Sequence, residues 1–296
     1  MMNIKEIKGI KLAPFTRMTA SIYAVLGFVA AVVMLIGLTI VQVAGVIPEL
    51  GHFNLVTGVG IPLIVLLPIG AFFSTIVMSF FSVMLYNVLV PRLGGVKLEL
   101  VGNEVENIPV VPFSLILSAI GAVWAFILGL VLAAVISPLF SLIGAMGTMP
   151  EAASITANLT ASGVAIPTGP GIGVAEAIVS LVLIIGLPIM AFVFGFIWNA
   201  LFALFYNYLV SRVAKIQLEF GQITGSLHEL KHIPVLPTAL SVALVFTLLG
   251  LISGILSKNY GEFISNFVVY FIETALIALL YNYLAPRIGS IKLNLE

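Results

Sequence analysis

Long apolar runs, each closed by the same polar signature, divide the chain into three. Tyr-Asn-x-Leu-x-x-Arg ends such a run at Tyr86–Arg92, Tyr206–Arg212 and Tyr281–Arg287. Directly after it, residues 96–100, 216–220 and 291–295 alternate apolar and polar side chains, the mark of a strand with one buried face. A lead-in precedes each apolar run: Ile10, Ile108 and Ile233 each lie four residues before a proline (Pro14, Pro112, Pro237). Proline suits the first turn of a helix, where its missing N–H is not needed. We therefore read one membrane domain, 1–296, built from internal repeats at 1–100, 101–220 and 221–296.

The shortest repeat shows the plan. Residues 238–256 and 263–284 are apolar runs around a polar turn, each about long enough to cross ~30 Å of hydrocarbon as a helix. Repeat one predicts helices at 21–46 and 63–90, flanking a stretch with Pro48, Glu49, His52 and Asn54. Repeat two predicts helices at 113–136 and 178–210, with the Gly/Ala/Ser/Thr/Pro segment 137–176 as an irregular outer loop. The expected fold is an all-α integral membrane protein with six transmembrane helices as three tandem hairpins, plus short cytoplasmic β-strands. Three strand pairs would form a small pseudo-threefold cap closed by the two termini. The lead-ins are less clearly strands, because Ile4, Ile7 and Ile10 recur every three residues.

Composition agrees with a membrane chain: 61% of residues are hydrophobic and 8% charged, with a mean hydropathy of +1.25. A soluble domain carries roughly a quarter charged residues. Zero net charge and no basic tract exclude nucleic acid as a partner. The absence of Cys rules out disulfides and thiolate metal sites, and all twelve acidic residues are Glu. The first apolar run exceeds the roughly 7–15 residues of a signal core, so it reads as a retained helix. Eleven of the twelve basic residues fall on one side of this topology, with Lys258 on the other. The positive-inside rule then places both termini and every Tyr-Asn unit in the cytoplasm of a multi-pass cell-membrane protein.

The copy LYNVLVPRLGGVKLEL (residues 85–100) resembles a bacterial family of small two-helix membrane proteins of unknown function, in which a Tyr-Asn helix end precedes a Gly-Gly-Val-x-Leu strand. The second copy has Ala214-Lys215 and the third Gly289-Ser290 where the first has Gly94-Gly95. The resemblance covers about fifteen residues per repeat. It implies a helical-hairpin unit and supplies no activity.

Candidate chemistry is sparse. Glu273 lies in the middle of the last apolar run, where a charged carboxylate costs several kcal/mol; such residues mark a pathway or a partner. Seven residues before each Tyr stands Ser79, Asn199 or Thr274, on the Tyr face of its helix; these positions line a polar axis or bond between helices. Tyr86, Tyr206 and Tyr281 read as interface anchors, with Arg92, Arg212 and Arg287 reaching headgroups and Asn87, Asn207 and Asn282 capping backbone groups. His228-Glu229-Leu230-Lys231-His232 spells H-E-x-x-H, which on a helix could hold zinc through His228 and His232. Against it stand Pro234, which leaves little room for a helix, and the aligned residues 103–107, which carry Asn in place of both His. Gly250 and Gly254 form a G-x-x-x-G pair, and Asn158 begins a glycosylation sequon. No phosphate loop, catalytic triad or cofactor fingerprint occurs. The expected role is a non-enzymatic scaffold or accessory component, with the lipid bilayer and a membrane protein as partners and no cofactor. A transporter or channel using Glu273, or a zinc metallopeptidase, are the alternatives.

Overall fold

The computed structural model describes residues 3–44, 54, 56–147, 171–259 and 261–296. Pro48, Glu49, His52 and Asn158 lie outside the described residues. In chain order the elements are β1 (Asn3–Ile10), α1 (Leu12–Ala44), α2 (Ile61–Leu93), β2 (Lys97–Val101), β3 (Glu104–Asn107) and α3 (Val110–Gly147). There follow α4 (Gly171–Leu181), α5 (Leu187–Tyr208), β4 (Glu219–Thr224), β5 (Leu227–His232), α6 (Val235–Ser257), α7 (Glu262–Ile288) and β6 (Lys292–Leu295). A π-helical turn at Val182–Gly186 joins α4 to α5. Among the described residues, six helical stretches are long and apolar enough to cross a membrane.

The helices begin earlier than hydropathy alone indicates. α1, α3 and α6 each start two residues after the lead-in Ile, so Pro14, Pro112 and Pro237 occupy the third helical position. Polar residues such as Thr16, Arg17 and Thr19 dilute the apolar signal there without breaking the helix. The outer loop expected at 137–176 is also corrected, since α3 continues through Pro138 to Gly147 and α4 begins at Gly171. Leu139, Phe140 and Leu142 sustain the helix, and a lack of bulk is not a lack of helix propensity.

The chain forms two compact units, residues 1–116 with 200–296, and residues 117–199. The second unit holds the rest of α3, α4 and the start of α5. In the first, α1 packs on α2, α6 on α7, and α1 on α7. A run of rings ties its other pieces together: Phe113 stacks on Phe202 at 5.9 Å, Phe202 meets Phe246 at 5.7 Å, and Phe246 stacks on Tyr270 at 3.8 Å. Gly250 faces Asn266 of α7.

The strands also belong to this unit and form an antiparallel sheet in the order β3-β2-β1-β6-β5-β4. Its outer strands meet, because Glu104 pairs with Gln217 just ahead of β4. Val105 N donates to Ile216 O (2.9 Å) and Leu218 N to Asn103 O (2.8 Å), so the sheet closes on itself. Closure removes the exposed edge that an open sheet would present. Leu98, Leu100, Val105, Leu230, Leu293 and Leu295 are buried, as their alternation requires. β1 is a strand although its isoleucines recur every three residues: a bulge between Ile7 and Gly9 inserts a residue and gives Ile7 and Ile10 the same parity, while Ile4 lies exposed on the other face.

Candidate functional site

The Tyr-Asn motif stitches each helix end to the sheet, and does so identically three times. Tyr86 Oη donates to Ile7 O (2.7 Å) and accepts from Val96 N (3.0 Å). Tyr206 Oη donates to Val105 O (2.5 Å) and accepts from Ile216 N (3.1 Å). Tyr281 Oη donates to Leu230 O and accepts from Ile291 N (3.2 Å). Each hydroxyl thus bridges a lead-in strand and the strand ten residues beyond its own Tyr. The rings are 5%, 0% and 1% exposed, so they are interior pillars, with their hydroxyls committed to backbone.

The neighbouring Asn clamps the lead-in Ile. Asn87 accepts from Ile10 N and donates to Ile10 O, both at 2.9 Å. Asn207 does the same to Ile108 (both 2.8 Å), and Asn282 to Ile233 (2.9 and 2.8 Å). An amide carries one acceptor and one donor at the right spacing to imitate a backbone partner, which Asp or Leu at this position would not.

A third set was missed in the sequence, although its signal was there: a Glu stands four residues before each lead-in Ile. Glu6 accepts from Gly95 N (2.8 Å), Glu229 from Ser290 Oγ (2.9 Å), and Glu104 pairs with Lys215 Nζ (3.1 Å). These partners are the residues nine after each Tyr. The Gly95 N–H holds the Glu6 carboxyl below its ordinary value, against the opposing pull of burial and helped by Lys8. Glu106 and then Glu104 push the Lys215 ammonium above its ordinary value.

Repeat two departs from this plan for a local reason. Gly94 and Gly289 end α2 and α7 at φ +83° and +94°, which side chains rarely adopt. Ala214 stands at that position in repeat two. α5 stops at Tyr208, and a short 3₁₀ turn at Val210–Arg212 follows instead. Lys215 then reaches Glu104 and Glu106 with its ammonium, at 3.1 and 2.5 Å, where Gly95 uses its backbone.

The remaining candidates are placed as follows. Arg92, Arg212 and Arg287 are exposed at the sheet ends of their helices, and Arg287 lies 3.6 Å over the Tyr283 ring. Ser79 bonds to Thr75 O (2.5 Å) and Asn199 to Gly195 O (2.8 Å), each within its own helix; Thr274 is half-buried beside Glu273. His228 and His232 lie on strand β5, where four residues span about 13 Å. The helical i, i+4 pairing that zinc would need is not formed. His232 Nδ1 approaches Glu219 at 3.8 Å, and no cluster of three metal-ligating residues occurs among the described residues.

Glu273 is different. It lines a groove of about 690 Å³ between α1, α2 and α7, otherwise almost wholly apolar. Tyr23 of α1 lines the same groove, within electrostatic reach of the carboxyl. No hydrogen bond or ion pair reaches the Glu273 carboxyl from the described residues. The groove opens sideways, bordered by exposed Val33, Val269 and Ile272. Compared with known protein families, curated proteins and solved structures, the chain matches none.

Proposed function

We propose that this chain is a non-enzymatic, multi-pass component of the cell membrane that holds another membrane protein as a scaffold or accessory subunit. Both termini and the closed sheet lie in the cytoplasm, as the one-sided distribution of Lys and Arg supports. The observation that carries the reading is the unpartnered Glu273 carboxyl on a lateral groove. A carboxyl at that depth is costly when charged and wants a partner when neutral. The Tyr, Asn and Glu of the repeated motifs are already committed to this chain's own backbone and side chains. What is left over faces outward, toward a neighbour.

Affinity purification from native membranes in mild detergent tests this. Wild-type protein is expected to bring down a reproducible membrane protein, and Ala30→Trp, which fills the groove from its exposed floor, to lose it. A clean monomer from wild-type membranes refutes the proposal. The same carboxyl favours a second reading, proton or cation transport. For that reading, Glu273→Gln in proteoliposomes must abolish a flux that the wild type supports.

A further inference from the structure

The groove has a shape and a chemistry that together narrow what fills it. Along α1 its wall runs from Tyr23 to Met34, about 16 Å or three helical turns. Its floor is made of small residues: Gly27 lets α2 pack closely, with Leu67 O 3.0 Å from where a Cβ would stand, and the exposed Ala30, with Ala71, leaves room for another backbone to approach. Val268, Val269, Ile272 and Leu276 of α7 form the opposite wall, and among the described residues Glu273 is the only carboxylate along it. A lipid chain could fill the apolar volume but would leave the carboxyl unpaired. A helix with a cationic side chain at that level fills the volume and pairs the charge. Both charges are then removed from lipid together, whereas each alone is costly.

We propose that the groove between α1, α2 and α7 docks a single transmembrane helix of a partner protein that carries a lysine or arginine near the middle of its span, paired with Glu273. This rests on the scaffold reading above and names the chemistry of its partner.

The test uses full-length protein in phosphatidylcholine vesicles and labelled poly-leucine peptides of about 20 residues, one with a central Lys and one with Leu there. Resonance energy transfer reports binding. The Lys peptide is expected to bind about tenfold or more tightly than the Leu peptide, the scale of a close ion pair. Glu273→Gln should remove most of that difference, and Ala30→Trp should weaken binding of the Lys peptide. Glu273→Lys should prefer a peptide with central Glu. Equal binding of the two peptides to wild type overturns the proposal, as does a Lys preference that survives Glu273→Gln. The wild-type comparison decides even where a variant does not fold. If the peptides fail while a partner still co-purifies, the partner chemistry falls and the scaffold reading stands. Should the peptides succeed with no partner in native membranes, the scaffold reading falls alone.

Discussion

Replacing Tyr206 with Phe removes one oxygen from a ring that is 0% exposed and leaves the packing unchanged. Two backbone groups lose their partner at once, the Val105 carbonyl and the Ile216 N–H. Each net hydrogen bond is worth about 1 kcal/mol, and each buried group left unpaired costs more, so the loss is about 2–4 kcal/mol. The damage is concentrated where the sheet is thinnest. β1 and β2 share four paired positions and β5 and β6 three, while β3 meets the segment before β4 through a single bridge. Hydrogen exchange in detergent, read on peptides covering residues 101–108 and 214–222, should accelerate roughly 30- to 700-fold. Tyr281→Phe and Tyr86→Phe should open their own seams by less and leave this one protected. A change below about threefold in Tyr206→Phe, under ~0.7 kcal/mol, would refute the claim that these hydroxyls hold the ring closed.

Three other outcomes follow from the same geometry. Gly95→Ala places a Cβ 2.2 Å from the Ile7 carbonyl oxygen, so it should lower stability by about 1–3 kcal/mol in thermal unfolding. Glu6 has a folded value below its ordinary 4.5, so its contribution is complete above that pH and is lost as pH falls through the depressed value. Melting temperatures taken from about pH 6 down to pH 3 should therefore drop, and Glu6→Gln should flatten that drop. The chain has no native cysteine, so single labels can fix its orientation. Val213→Cys, at a residue 76% exposed near the sheet, should react with an impermeant maleimide only from the cytoplasmic side, and Lys258→Cys only from outside.

Much of the architecture was legible because it is written in period and spacing. Apolar runs of bilayer length announced the helices, and Val96–Leu100 or Ile291–Leu295 announced strands by strict alternation. β1 hid its nature because a bulge adds one residue between Ile7 and Ile10 while Ile4 sits on the exposed face, so the three isoleucines show an apparent period of three. Tyr206 was harder still. An aromatic at the end of an apolar run reads the same whether it meets headgroups or a sheet, and only the folded partner, Val105, tells the two apart. The His228-to-His232 spacing carries zinc chemistry only on a helix, and the strand ladder to Gln222 and Glu219 claims those residues first. Glu273 stood out from the start because a carboxylate among apolar neighbours needs no structure to be conspicuous. Its open flank, by contrast, comes from how α1 and α7 meet, which no local pattern records.

The pairing of β1 with β6 has a consequence for biosynthesis. Glu6 and Glu296 exchange backbone hydrogen bonds, so β1 waits, unpaired on that side, until β6 has been synthesised. Through that interval β2 can already hold residues 3–6, while the stretch that β6 will take, residues 7–10, must be kept from other chains. A protein truncated before Lys292 would carry this gap permanently, and quality-control proteases that probe for loose strands would find it there.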